Sequence, residues 1–144
     1  MIGILFSVIA GMAMSIQGVM NTRLSEKIGL YESNLFVQGT AFLLSIVAAL
    51  ILGQGSLASL GEVNRIYLFG GVLGLVITIT VMLGIQGLSP TVSISIILIS
   101  QLLVAALIDA FGLLGAERVS FDWTKYLGIA MMIAGVVLFK WQRA

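Results

Sequence analysis

The 144-residue chain contains no cysteine and no histidine. Without them it forms no disulfide, has no thiolate or imidazole nucleophile and lacks the usual ligands of a zinc site. Charged residues are also scarce, at 9% of the chain, and its apolar segments hold no pair of carboxylates that could act as acid and base. We therefore expect no catalytic site, no metal and no bound cofactor, and we do not expect an enzyme.

Hydrophobic residues make up 60% of the chain, whereas soluble domains are roughly half apolar and about 25% charged. This composition indicates an integral membrane protein, and the net charge of +1 provides no basic face for nucleic acid. We expect one all-α membrane domain, residues 1–144, in which a charged connection, Arg23–Glu32, follows the first helix. Five transmembrane helices are predicted, at about residues 2–22, 33–52, 66–86, 91–112 and 126–140.

The fourth predicted helix is the richest in polar groups. It lies in the apolar run from Thr91 to Gly115, which also contains Ser93, Ser100, Gln101 and Asp109. An ionisable side chain inside a spanning helix is by default a functional-site candidate, which makes Asp109 a candidate for gating or proton coupling. The alternative is that Asp109 lies at the helix end near the headgroups, where it contacts neighbouring backbone.

Amide side chains mark the first two helices. Gln17 and Asn21 lie one turn apart on the first helix, and Asn34 and Gln38 have the same spacing on the second. Because an amide inside a membrane needs a hydrogen-bonding partner, these side chains are predicted to line a polar cavity. The candidate substrate-binding residues are Gln17, Asn21, Asn34, Gln38, Ser93, Ser100 and Gln101.

The 17 glycines suit helices that pack closely in a bilayer, since glycine lets two backbones approach. Spacings of four or seven residues place several of them on single helix faces. The candidate positions for helix packing or dimer contact are Gly11, Gly18, Gly70, Gly74, Gly128 and Gly135. The seam formed by Gly128 and Gly135 suits either self-association of two copies or packing within one subunit.

Basic residues give the chain no clear orientation. With five spans, one side of the membrane receives Arg65, Arg118 and Lys125, and the other receives Arg23, Lys27, Lys140 and Arg143. The placement of Lys and Arg normally decides orientation. We therefore expect the chain to insert both ways and to pair with an inverted copy of itself, an arrangement that matches the inverted repeats of many transporters.

Four motifs point to one family. They are Gln17-x-x-x-Asn21-x-x-Leu24, Gly70-Gly71-x-x-Gly74, Gln101 with Ile108-Asp109-x-Phe111-Gly112-Leu113-Leu114-Gly115, and Leu127-Gly128 with Gly135-Val136-Val137-Leu138. Together they resemble the DUF606 (YdcZ-like) family, a branch of the drug/metabolite transporter superfamily related to the small multidrug resistance proteins.

That resemblance implies an inner-membrane protein found as dual-topology homodimers, as paired chains or as fused inverted repeats. Small multidrug resistance exporters carry an essential glutamate in the first helix, where this chain has Gln17 and Asn21 instead. We therefore do not expect cation–proton exchange built on that glutamate.

The favoured function is transport of a small polar or weakly charged solute by alternating access in an antiparallel homodimer, in a bacterial inner membrane. The expected partners are the lipid bilayer, a second copy and a small-molecule substrate. A non-transporting subunit or assembly partner of a larger membrane protein is the alternative, although such a subunit has little use for polar residues at the membrane midplane. An intramembrane enzyme is the weakest hypothesis.

Overall fold

The computed structural model describes residues 1–120 and 122–141, and within them every regular element is helical. The α-helices are α1 (Ile2–Ile28), α2 (Leu30–Leu52), α3 (Gly70–Gly87), α4 (Pro90–Phe111) and α5 (Trp123–Lys140). By length and composition α1, α2, α4 and the segment Arg65–Gly87 can each cross a membrane, whereas α5 is a shorter apolar helix. The all-α membrane class is confirmed; the antiparallel dimer and the count of five spans stay predictions. Arg143, counted above among the basic residues, lies outside the described residues.

The helices form two compact units, residues 1–87 and 88–144. In the first unit α1 contacts both α2 and α3, and α2 contacts α3, so three helices share one interior. In the second unit α4 packs against α5. Large apolar side chains cover much of the outside of both units, which suits surfaces that face lipid.

The first connection differs from the prediction. The loop expected between residues 23 and 32 is helical except at Gly29, because α1 and α2 continue up to it from either side. Arg23 and Glu26 do not end the helix: both are good helix formers, and their exposed side chains pair across one turn at 3.0 Å. Charge in this segment therefore does not mark where the helix stops.

A single glycine makes the turn between α1 and α2. Gly29 has a φ of +101°, a conformation that L side chains rarely adopt. Its N–H donates to the Ser25 carbonyl, and its carbonyl accepts from the Ser33 N–H, each at 3.0 Å. The end of α1 and the start of α2 are thus held together without a loop.

The connection from α2 to α3 contains two 3₁₀ segments, Leu57–Glu62 and Arg65–Phe69. Each follows a polar cap, Ser56 or Asn64, whose side chain accepts a backbone N–H two residues further on, at 3.2 and 3.1 Å respectively. The α-helical part of α3 consequently begins at Gly70, after the predicted start at about residue 66.

The connection from α4 to α5 folds back over the end of α4. Gly112 takes the left-handed conformation, with φ +65°, and ends the helix. The Val119 N–H then donates to the Asp109 carbonyl at 2.9 Å, and Arg118 Nε donates to the Ala110 carbonyl at 3.0 Å. These bonds satisfy carbonyls that the last turn of a helix leaves without helical partners.

Candidate functional site

The interior of the first unit is polar at one end. The buried polar side chains there are Asn21, Thr22 and Ser25 of α1 and Ser33 and Asn34 of α2. Against them α3 places the buried apolar side chains of Met82 and Ile85. The end of α1, the start of α2 and the end of α3 supply these residues, and we call them the polar cluster. Since the groups are buried, their hydrogen bonding decides whether they stabilise the unit.

Hydroxyl protons near this cluster are donated to main-chain carbonyls. The bonds run from Thr22 Oγ1 to Gly18 O (2.8 Å), from Ser25 Oγ to Thr22 O (2.7 Å), from Ser33 Oγ to Asn21 O (3.3 Å) and from Thr78 Oγ1 to Gly74 O (2.8 Å). A hydroxyl has one proton and two lone pairs. Each of these side chains therefore has only oxygen lone pairs left to offer to another group.

Two amide side chains donate N–H groups to such hydroxyl oxygens and thereby join helices. Gln86 Nε2 of α3 donates to Ser25 Oγ of α1 at 2.9 Å. Gln38 Nε2 of α2 lies 3.5 Å from Thr78 Oγ1 of α3, a long contact that contributes less. The polar groups of the first unit thus link α3 to both of its neighbours.

A cavity of about 60 Å³ lies between α1 and α3. Its walls are formed by Met14, Gln17, Gly18, Asn21, Ile77, Thr78 and Val81. A water molecule occupies roughly 30 Å³ of liquid volume, so the cavity has room for about two waters. No charged side chain lines it, and the Gln17 and Asn21 amides make no hydrogen bond with described residues. Both amides are therefore available to a polar molecule.

Asn34 is buried with incomplete hydrogen bonding. Its side chain is 4% exposed, and its Oδ1 has no hydrogen-bond partner in the described part of the chain. Asn34 lies one turn before Gln38 on the same face of α2. An unsatisfied buried acceptor costs about 1–3 kcal/mol. A hydrogen-bond donor placed against Asn34 would remove that cost.

The candidate residues of α4 belong to the second unit. Ser93 is buried, whereas Ser100 and Gln101 are exposed on that unit. The Ser100 hydroxyl donates to the Ile96 carbonyl at 2.9 Å, and the Gln101 amide makes no hydrogen bond with described residues. Their place beside the α1 amides in one binding site stays a prediction.

Asp109 lies in the last turn of α4 and is exposed. Its carboxylate forms no hydrogen bond or ion pair with the described residues. Together with Lys125 it lines an open cavity of about 610 Å³ between α4 and α5. Lys125 Nζ donates to the Ser120 carbonyl at 2.8 Å. Across the part of the chain that the structure describes, no group of three or more Asp, Glu, His or Cys residues is arranged to hold a metal ion.

Gly18 and Gly74 lie at helix contacts of the first unit. A Cβ atom at Gly18 would lie 3.1 Å from side-chain atoms of Val81 and Ile85, and one at Gly74 would lie 3.8 Å from the Gln38 amide. The other candidate packing glycines have no described atom within 4 Å of that position: Gly11, Gly70, Gly128 and Gly135. These four face open space within the chain.

Sequence reasoning missed several members of the polar interior. Ser25 lies in the segment predicted to be a loop, and Ser33 and Gln86 lie at ends of predicted helices, where polar residues are ordinary. Thr78 lies four residues after Gly74, on the helix face that Gly70 and Gly74 mark as a packing face, and it was not among the candidate binding residues. Helical spacing could have identified Ser25, because it lies one turn after Asn21 on α1.

A family model matches nearly the whole chain. The model is DMT_YdcZ, described as "Putative inner membrane exporter, YdcZ", and it matches residues 2–138. No curated protein and no solved structure matches the chain.

Proposed function

The chain belongs to the DMT_YdcZ family of inner membrane exporters, and on that premise we propose that it carries a small polar or weakly charged solute by alternating access as an antiparallel homodimer. Membership confirms the predicted family resemblance and the inner-membrane location. It also supports the coarser part of the predicted function, a membrane transporter. The substrate class, the dimer and the transport cycle are the parts proposed.

The cavity between α1 and α3 is the observation that carries the proposal. Its lining includes the amide side chains of Gln17, which is exposed, and of Asn21, which is buried, and neither is hydrogen-bonded to described residues. Polar groups inside a membrane protein mark substrate or ion pathways, since lipid offers them no partner. We infer that these two amides bind the solute.

The chemistry around the cavity favours an uncharged or weakly charged solute with hydrogen-bond donors. The Thr78 hydroxyl lines the cavity and has donated its proton to the Gly74 carbonyl, so it presents lone pairs. The Asn34 Oδ1 has no hydrogen-bond partner among the described residues, but Asn34 does not line the cavity at its present size. A permanent cation would find no counter-charge in this cavity, because no Asp or Glu lines it. A solute that donates hydrogen bonds would bond to the Thr78 oxygen in this cavity, and in the proposed cycle it reaches the Asn34 oxygen once the cavity enlarges.

Binding requires the cavity to enlarge. Its volume of about 60 Å³ is well below the roughly 300–1,000 Å³ of ordinary small-molecule sites. The contact of Gly18 with Val81 and Ile85 closes α1 on α3. In the proposed cycle this contact opens and closes as the two copies rock against each other.

The proposed dimer rests on the balance of basic residues. Two inverted copies would place one α1–α3 cavity towards each side of the membrane. In this arrangement Ser93, Ser100 and Gln101 are the proposed contribution of the second unit to the solute path.

Transport can be tested without knowing the substrate. Proteoliposomes containing the purified protein are incubated with an equimolar mixture of small neutral, zwitterionic and cationic solutes, and their contents are measured by mass spectrometry. We expect one or a few donor-bearing polar solutes to enter above the level of protein-free liposomes. Entry of permanent cations alone would contradict the solute class, and no entry of any solute would contradict transport.

The site is tested in the same assay by Asn21→Leu, which removes one cavity amide. The matched control is Met20→Leu, at the neighbouring position, where the side chain is exposed on the outside of the unit. We expect Asn21→Leu to lower uptake at least about tenfold, because binding loses hydrogen bonds at a buried site. Equal loss in both variants would assign the effect to folding.

The dimer is tested by labelling single cysteines in intact cells with a membrane-impermeant thiol reagent. Tyr31→Cys lies in the first turn of α2 and Ala58→Cys lies beyond its other end, neither variant changes a charge, and the chain has no native cysteine. We expect each site to be labelled in about half of the molecules, as dual insertion requires. Full labelling at one site and none at the other would rule out the inverted homodimer.

A further inference from the structure

The open cavity of the second unit has the layout of a lipid site. We call it the α4–α5 groove. Asp109, in the last turn of α4, and Lys125, in the first turn of α5, lie at its outer end. Leu102 and Met132 lie seven residues deeper on the same helices, roughly 10 Å away at 1.5 Å per residue. The groove therefore passes from a charged end at the helix termini to an apolar end within the helices.

Small residues form part of the groove wall. Ala105 and Ala106 of α4 and Gly128 of α5 line it, and no described atom lies within 4 Å of a Cβ placed at Gly128. A shallow apolar channel between two helices can hold an extended hydrocarbon chain. Its volume of about 610 Å³ is large enough for part of one.

Aromatic residues place the charged end at headgroup depth. Trp123 starts α5 and is 75% exposed, and Tyr126 follows within the same turn. Trp and Tyr are enriched where the hydrocarbon meets the headgroups. The Asp109–Lys125 end of the groove consequently lies where lipid headgroups lie.

The Asp109 carboxylate lacks favourable electrostatic contacts with the described residues. It has no ion pair or hydrogen bond with described residues, and it lies in a C-terminal turn, where the helix dipole disfavours negative charge. A cation with N–H donors would offset both disadvantages. Lys125, on the opposite wall, offers positive charge to an anionic group.

We propose that the α4–α5 groove binds a phospholipid whose headgroup carries both a primary ammonium and a phosphate, as phosphatidylethanolamine does. The ammonium lies against Asp109, the phosphate against Lys125 and one acyl chain against Leu102 and Met132. This assigns Asp109 to a surface contact at the helix end rather than to proton coupling.

Charge complementarity separates this lipid from the others. A phosphatidylglycerol headgroup has no ammonium and would bring its negative charge towards Asp109. A phosphatidylcholine headgroup has a quaternary ammonium, which cannot donate a hydrogen bond to the carboxylate. A helix of a second copy could cover the groove wall at Gly128, but it would leave the Asp109 carboxylate without the ammonium that the lipid supplies.

The test is native mass spectrometry of the full-length protein, purified in mild detergent and mixed with equal amounts of phosphatidylethanolamine, phosphatidylglycerol and phosphatidylcholine. We expect the phosphatidylethanolamine complex to dominate. Asp109→Asn should reduce it about tenfold, the loss expected for one charge-assisted hydrogen bond. Glu117→Gln removes a nearby carboxylate that does not line the groove, and it should leave the complex unchanged.

A second variant tests the proposal independently, in case Asp109→Asn misfolds. Gly128→Leu fills the groove and keeps both charges, so it should also reduce the phosphatidylethanolamine complex while circular dichroism shows unchanged helix content. Equal binding of the three lipids, or equal losses in Asp109→Asn and Glu117→Gln, would overturn the proposal. So would efficient disulfide cross-linking of Gly128→Cys between two copies in membranes, because a second copy would then occupy the groove.

Discussion

Residues 1–87 bury five polar side chains, all uncharged, whereas Ser93 is the buried polar side chain among the described residues of the second unit. The first unit joins its polar groups across helices, as the bond from Gln86 to Ser25 shows. The second unit has its charged groups at helix ends, where Asp109 and Lys125 line an open groove.

The difference separates two ways of using polarity in a membrane protein. Uncharged groups inside a three-helix unit can be hydrogen-bonded and still leave a few amides for a solute, at little desolvation cost. A carboxylate at a helix end has a small desolvation cost, because headgroups and water reach it. We therefore propose that the α1–α3 cavity of the first unit supplies the central amides of the solute path, and that the second unit adds a lipid contact at Asp109 and Lys125.

The largest expected effect on stability comes from a substitution that forces a large side chain between α1 and α3 of the first unit. Gly18→Leu forces a side chain into Val81 and Ile85, which lie 3.1 Å from a Cβ at that position. We expect a loss of about 3 kcal/mol in the free energy of unfolding, measured by denaturant titration in micelles. Gly11→Leu, on the same helix with open space around it, should cause no loss. Equal losses would mean that the α1–α3 contact is not formed.

The second unit should instead be sensitive to backbone conformation in its connection. Gly112→Ala places a Cβ on a residue with φ +65° and should lower the free energy of unfolding by about 1–2 kcal/mol. Gly128→Ala, inside α5, should raise it by up to about 1 kcal/mol through helix propensity. A neutral Gly112→Ala would show that the turn at the end of α4 differs from the one described.

Substitutions at two glutamines compare directly how much polar side chains stabilise each unit. Gln86→Leu removes the bond to Ser25 and should lower the free energy of unfolding by about 1 kcal/mol. Gln101→Leu removes an amide that bonds to no described residue, so it should leave stability unchanged. The same titration measures both. If Gln101→Leu were the more destabilising, the second unit would also contain an essential polar contact.

The smallest loss of stability is expected at Asn34, where a substitution should lower solute uptake without lowering the free energy of unfolding. Asn34→Leu removes an unsatisfied buried acceptor, so it should cause no loss and a gain of up to about 1 kcal/mol in the free energy of unfolding. Solute uptake by proteoliposomes should fall nevertheless. A clear loss of stability would show that Asn34 has a structural partner.

The apolar runs were sufficient to predict the helices and their order. Hydropathy could not locate the α1–α2 turn, because Arg23, Glu26 and their neighbours continue the helix outside the apolar run and only Gly29 interrupts it. Helix ends depend on caps and backbone conformation, which a hydropathy profile does not register.

The candidate site was predictable where it follows helical spacing. Gln17 and Asn21 are four residues apart, and the structure has both lining one cavity. The partners on α3 were not predictable, because spacing within one helix does not say which residues of another helix lie opposite. The groove at Asp109 was not predicted, because spacing along α4 does not say which residues of α5 form its opposite wall.

The accessibility of the α1–α3 cavity to water decides whether a solute path lies between these two helices. Single cysteines at Gln17 and at Ile16, whose side chain is 61% exposed on the outside of the unit, are treated with a small charged thiol reagent in membranes. We expect Gln17→Cys to react at least about tenfold faster than Ile16→Cys, because a charged reagent enters a hydrated path far more readily than hydrocarbon. Equal rates, or no reaction at Gln17→Cys, would contradict a solute path between α1 and α3.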